Sequence, residues 1–246
     1  MKSLVIQSCS AAQYQGWQGR CIASVRRWVA QQGHDHHLLG DEIFALVPDW
    51  YLAKVRERRP IATDFARLVL AQQALATGRP EVIWLDADTL VLDDELRLDF
   101  TGSCAFGQEV WVQPREGRWQ VRRNLHNAVA VFRQGCPVLP FLLHCVESLM
   151  QRVDPDHIAP QFVGPKLLQA LQTFADFALL PQVGSLSPAV ALDLQRGSGP
   201  ALDLLCQESQ PLPQALNLCA SLLPADQAAA VIESLQSAGL SSKADR

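Results

Sequence analysis

The chain has 246 residues, 48% hydrophobic and 19% charged, with a net charge of −4. That composition excludes a disordered chain and allows one sizeable core. The acidic balance argues against nucleic-acid binding by phosphate neutralisation, and no apolar run approaches the ~18 residues of a spanning helix.

The first strand is expected at residues 4–7, ending on Gln7. Residues 17–32 carry Ile22, Val25, Trp28 and Val29 at helical spacing, with Gly33 as a stop signal. Residues 36–39 predict a second strand, so the chain opens as α/β. His34, His36 and His37 fall at the start of that strand. Alternate residues of a strand face opposite ways, which favours a solvated strand start over a metal cluster. Residues 41–51 predict a short helix, and the charge run at 54–59 a solvated surface.

Residues 61–77 predict a strong helix, capped by Thr63 or Asp64 and closed by Gly78 and Pro80. Asp64 and Arg67 stand three apart and share a face. Residues 82–85 predict a buried strand that ends in Asp86 and Asp88 around Ala87. Carboxylates at the carboxyl end of a buried strand sit where open α/β sheets place ligands. This pair suits one hard cation, Mg²⁺ or Mn²⁺.

Further strands are expected at 104–107, 110–113, 126–132, 177–180 and 183–186. Helices are expected at 137–150, 165–174 and 225–235, and a loop at 197–200. Residues 115–123 place four arginines around Trp119 and predict a basic loop suited to an anionic or sugar-bearing acceptor. Seven cysteines with no CxxC spacing read as small buried hydrophobes in a reducing cytoplasm. The N-terminal apolar stretch is too short for a secretory signal. No repeat or linker divides the chain, so one domain is expected over 1–240, with a disordered tail at 241–246.

Two enzyme families place D-x-D after a strand. Residues 85–91, LDADTLV, resemble the first motif of haloacid-dehalogenase-like phosphatases. There Asp86 is the nucleophile, Asp88 the general acid/base and Mg²⁺ the cofactor. Leu90 holds the usual Thr or Val position of that motif. Lys166 is available downstream, but no acidic pair follows it.

The second resemblance covers more of the chain. Thr63-Asp64-Phe65-Ala66-Arg67 before the aspartates, HNAVAVF at 126–132, and Gly164-Pro165 resemble blocks of the DXD sugar-binding-region glycosyltransferases. These are GT-A enzymes of the family 32 type that serve capsule and lipopolysaccharide synthesis. The blocks keep their order over roughly residues 60–190. The resemblance implies a GT-A fold, a Rossmann-like mixed sheet flanked by helices in a single domain. It implies a metal-dependent, retaining hexosyltransferase that moves sugar from a nucleotide sugar, UDP-hexose first, to a glycan or glycolipid hydroxyl. Asp86 and Asp88 become metal ligands and catalytic residues. Asn127 positions sugar or acceptor, and Asp64, Arg67, Asp86 and Gln7 contact the donor. Trp17 and Trp84 are candidates for stacking on the base, although core packing is the commoner role for each.

A family histidine near the C-terminus is replaced by Asn217 in Ala215-Leu216-Asn217-Leu218. Asn217 is then expected as a weaker cation ligand. The same substitution motivates a third reading, a degenerate binding protein. The expected location is the cytoplasm, with peripheral contact at the inner membrane face allowed.

Overall fold

A computed structural model describes residues 2–175 and 177–240. The tail expected at 241–246 lies outside the described residues. The chain opens with β1 (Leu4–Ser8), a one-turn α1 (Ala11–Tyr14), α2 (Gln18–Gln32) and β2 (Asp35–Leu39). After a 3₁₀ segment at Asp41–Leu46 come α3 (Asp49–Val55), α4 (Arg59–Ala76), β3 (Glu81–Leu85) and β4 (Thr89–Val91). A long hairpin of β5 (Cys104–Arg115) and β6 (Arg118–Arg133) follows. Next are α5 (Val138–Arg152), α6 (Pro165–Leu171), β7 (Ala178–Leu180) and β8 (Val183–Ser185). The order closes with α7 (Pro188–Arg196), α8 (Pro200–Glu208), β9 (Ala215–Asn217) and α9 (Ala225–Ala238).

The main sheet runs β2-β1-β3-β6-β5-β7. Its β1 is parallel to β2 and β3, and β6 is antiparallel to β3 and β5. The mixed α/β architecture expected from the sequence is therefore present. A second sheet, β4-β9-β8, stands beside it. The chain passes from one sheet to the other across Asp86–Thr89, between the end of β3 and the start of β4.

Strand β3 shows why its sequence is apolar throughout. Side chains alternate across a strand, and both faces of β3 are covered. Val82 and Trp84 pack with Phe65, Leu68 and Leu142 of α4 and α5. Ile83 and Leu85 pack with Val25 and Trp28 of α2. Helix α2 ends where expected, because Gly33 takes the left-handed conformation (φ 70°) that closes a helix at little cost. A third cluster joins α7, α8 and α9 to Leu90 and Leu216 of the small sheet.

Several expectations need correction. Helix α4 begins at Arg59 with Pro60 in its first turn, where a missing N–H is harmless. Thr63 and Asp64 thus lie inside the helix and cap nothing; the Thr63 hydroxyl donates back to Arg59 O. The segment 115–123 is not a loop. It is the paired end of the β5–β6 hairpin, with Arg115 opposite Arg118. Helices α7 and α8, not expected from the sequence, flank the loop expected at 197–200, whose last residue, Pro200, opens α8. Each has nine residues, too few for periodicity to separate helix from strand.

The two strands expected at 104–107 and 110–113 are one, interrupted by a bulge between Phe106 and Gly107. The bulge makes room for His126, which is buried and lies against Gly107. Its Nε2–H donates to Val183 O (2.9 Å), and its Nδ1 accepts from the Ala128 N–H (3.3 Å). Those two bonds fix a neutral tautomer, and burial lowers the pKa in the same direction. A Cβ on Gly107 would fall within the His126 ring. Gly107→Ala should cost about 1–3 kcal/mol by overpacking, read from urea unfolding. Combining it with His126→Ala should recover part of that loss; strict additivity in the cycle would show that the ring is not the obstacle.

Candidate functional site

The site begins in the turn Asp86-Ala87-Asp88-Thr89, closed by the Thr89 N–H donating to Asp86 O (3.0 Å). Asp86 ends a strand of the large sheet and Asp88 precedes a strand of the small one. The two carboxylates sit at the sheet junction.

Asp86 is held from several sides. Its N–H donates to Ala128 O on β6 (2.8 Å). Its Oδ1 accepts from Trp84 Nε1 (2.6 Å) and lies 3.3 Å from an Arg67 guanidinium nitrogen. The Gln7 amide donates to the Asp86 carbonyl (3.4 Å), and His36 is 3.0 Å from the Gln7 oxygen. No hydrogen bond engages Asp86 Oδ2 among the described residues, and 28% of the side chain meets solvent.

Arg67 organises the layer beneath. It lies 3.0 Å from Asp64 Oδ1, donates to Asn127 O and stacks over Trp84 at 5.0 Å. The Asn127 amide donates to the same Asp64 oxygen (2.8 Å). Gly164 closes over this pair; a Cβ there would fall 2.6 Å from Asp64 Oδ2. Asp64 and Arg67 side chains are only 9% and 7% exposed. The adjoining void of about 20 Å³ has room for little more than a water. Asp64, Arg67 and the fully buried Gln7, expected as donor contacts, lie in the layer behind Asp86.

Asp88 is tied to the other end of the chain. The Asn217 amide nitrogen donates to Asp88 Oδ1 (2.6 Å), and the Ala220 N–H donates to Oδ2 (2.8 Å). Thr89 and Asn217 face each other across β4 and β9. The Asn217 oxygen accepts from the Cys219 N–H (3.0 Å). The Asn217 nitrogen thus orients Asp88, while its oxygen, expected as a cation ligand, keeps one lone pair beyond the Cys219 bond.

Burial pushes the Asp64 carboxyl above its ordinary range, with Arg67 and the Asn127 amide pulling the other way. Burial also raises Asp86, to about 7, opposed by Arg67 and reinforced by the Asp88 charge. The Asp88 charge acting on Asp86 favours one proton or one cation between the two.

The other candidates scatter. Trp84 is buried beneath Arg67, in line with the core-packing reading and not with stacking on a base. Trp17 packs half-buried against the C-terminal cluster. His34 sits edge-on to Trp28, apart from the Gln7–His36 contact. No group of three His, Cys, Asp or Glu is placed to hold a metal among the described residues. Lys166 is exposed, and no ion pair joins it to Asp86 or Asp88 among the described residues.

Sequence reasoning missed Trp84 as a hydrogen-bond donor, His36 behind Gln7, and the Ala220 N–H. The first was within reach, since Trp84 and Asp86 are two apart on one strand face. The Ala220 contact spans 132 positions and leaves no local signal.

No protein-family model matches the chain, and no curated protein matches it. Among solved structures it is similar to a glycosyltransferase involved in glycosylation of the major capsid of PBCV-1. That match has a TM-score of 0.53 and 12% identity, covering 95% of this chain and 98% of the other. It is also similar to the glycosyltransferase GlyE of Streptococcus pneumoniae TIGR4. There the TM-score is 0.42 and the identity 13%, with 88% of this chain and 54% of the other covered. The first match shows a shared fold over nearly the whole chain, and at 12% identity it shows the fold alone. The second carries no argument. No helix among the described residues is long and apolar enough to cross a membrane.

The pH dependence of stability follows from Asp86. An acid whose folded pKa lies above its unfolded value, ~3.9, binds a proton more tightly when folded. The stability it lends is complete below the unfolded pKa and lost as pH rises through about 7. With a chelator present, stability relative to the Asp86→Asn variant should fall between pH ~4 and ~7, by up to ~1.4 kcal/mol per pH unit, then level. Chemical denaturation at stepped pH measures this, and a flat difference would count against the raised pKa.

Proposed function

We propose that the chain is a metal-dependent glycosyltransferase moving a hexose from a nucleotide sugar, UDP-hexose first, to a hydroxyl of a glycan or glycolipid. The observation that carries this reading is the convergence on one sheet junction of Asp86, buttressed by Arg67 and Trp84, and Asp88, fixed by Asn217 and Ala220. The fold shared with a solved glycosyltransferase supports it.

The donor set suits Mg²⁺ or Mn²⁺. Asp86 offers an oxygen without a hydrogen-bond partner, and each Asp88 oxygen accepts one hydrogen bond where a carboxylate oxygen has two lone pairs. Two carboxylates with no third protein ligand match the habit of Mg²⁺, which takes its remaining ligands from substrate phosphates and water. When bound, such a cation stabilises the charge on a departing nucleotide diphosphate. The chain's own residues do the positioning. Arg67 keeps Asp86 aimed and offsets part of its charge. Asn217 and Ala220 keep Asp88 in one orientation. Asn127, half-buried beside Asp64, is the group proposed to orient the sugar or acceptor.

The test is turnover of UDP-glucose, UDP-galactose and GDP-mannose with Mn²⁺, alongside UDP binding by calorimetry. Asp88→Ala should abolish metal-dependent UDP binding, and undiminished binding would overturn the assignment. Asn217→Ala should weaken metal affinity about 10–100-fold, the usual cost of losing a partner of a ligand. UDP binding with no turnover of any donor would favour the degenerate binding protein, a reading the Asn217 substitution keeps open. Hydrolysis of phosphate esters lost in Asp86→Asn would restore the phosphatase.

A further inference from the structure

A cavity of about 150 Å³ opens beside the small sheet. Its polar lining comes from distant parts of the chain: Gln108 of β5, Arg123 of β6, Ser185 of β8, and Gln207, Glu208 and Ser209 at the end of α8. Gln210 adds a further amide, and three prolines with Leu205 and Val110 make up most of the rest. None of these residues belongs to the Asp86–Asp88 site.

The cavity is nevertheless its neighbour. Thr89 faces Asn217 across β4 and β9, and Asn217 faces Ser185 across β9 and β8. Residues in register on neighbouring strands point to the same side, ~4.8 Å apart. The row Thr89–Asn217–Ser185 therefore leads from the side chain that holds Asp88 to the cavity wall, a distance of one strand.

Two features point to a ligand. Ser209 is 4% exposed and its hydroxyl has no hydrogen-bond partner, although buried hydroxyls ordinarily have one. Ser185 is 3% exposed, and its hydroxyl makes no hydrogen bond among the described residues. Ser185 thus brings a hydroxyl with unused bonding capacity to the cavity wall, and the unpartnered Ser209 hydroxyl lies just beneath that wall. The charge is also balanced. Arg123 is paired with Glu208 at 2.8 Å, so an anion would find no unopposed cation here. The remaining polar groups are amides and hydroxyls, which both donate and accept.

A neutral ligand rich in hydroxyls matches this wall, with apolar C–H faces to lie on proline and leucine. The volume is below the ~300–1,000 Å³ of a drug-sized pocket and on the scale of one ring. We propose that this cavity binds one neutral sugar ring of the acceptor glycan. The word acceptor rests on the transferase reading; the saccharide chemistry rests on the cavity itself. The proposal moves the expected acceptor contact from the exposed tip of the arginine hairpin to Arg123, nearer its base.

The experiment is saturation-transfer NMR on the full chain, with the methyl α-glycosides of glucose, galactose and mannose as probes. UDP binding with Mn²⁺ is read on the same samples. At least one glycoside should receive saturation from the unmodified chain. Gln108→Trp narrows the cavity from its half-buried wall, and Gln207→Trp covers it from an exposed position that folding tolerates. Either variant, with an unchanged thermal midpoint, should weaken that glycoside at least tenfold. No signal from any glycoside would overturn the proposal, as would equal signals from the unmodified chain and both variants. If the chain binds no UDP but the glycoside signal appears and is lost in a folded variant, the donor reading fails and the saccharide pocket stands.

Discussion

The guanidinium of Arg67 is the interaction on which the site depends. It is buried, and a buried cation is tolerated only when its charge and donors are met. Asp64 and Asp86 supply the charge, the Asn127 carbonyl takes a further N–H, and the Trp84 ring covers one face. These partners come from a helix and two strands. The arrangement therefore locks α4 against the carboxyl end of β3 and against β6. A network of this kind gives orientation more than stability, because desolvation offsets much of the Coulomb attraction. What it orients is Asp86, whose carboxylate is 28% exposed.

The second constraint is the passage between sheets. Asp86 is anchored in the large sheet and Asp88 in the small one, with a single residue between them. Any shift of the small sheet relative to the large one would change the spacing of the two carboxylates. The small sheet is held by the α7–α8–α9 cluster, so the C-terminal third of the chain sets the geometry of a motif in its first half. Asn217 serves that end: its oxygen is used by the Cys219 N–H and its nitrogen by Asp88. A side chain that fixes a carboxylate through an N–H fills a different role from one that shares a cation with it.

His126 shows the same economy in the core. Its ring occupies the space left by Gly107 and ties β6 to Val183 of β8. The bulge in β5 thus couples the hairpin to the small sheet. The far end of that hairpin, with Trp119 partly exposed among arginines, is a paired ribbon whose form owes little to its charge.

Local pattern alone determined much of this protein. The apolar run before Asp86, the helix stop at Gly33 and the period-3.6 helices α2, α4 and α5 follow from nearest-neighbour physics: side-chain periodicity, the left-handed freedom of glycine, the exclusion of water from both faces of β3. The aspartate pair and the Asp64–Arg67 spacing were legible for the same reason, since each lies within one element or one turn. Tertiary structure decided the rest. That Arg67 supports Asp86, that Asn217 turns its nitrogen to Asp88, and that Ser185 and Ser209 meet at one cavity all depend on contacts between residues far apart in sequence. Such contacts are fixed by how sheets and helices pack, and packing leaves no trace in the order of residues on either side of each contact.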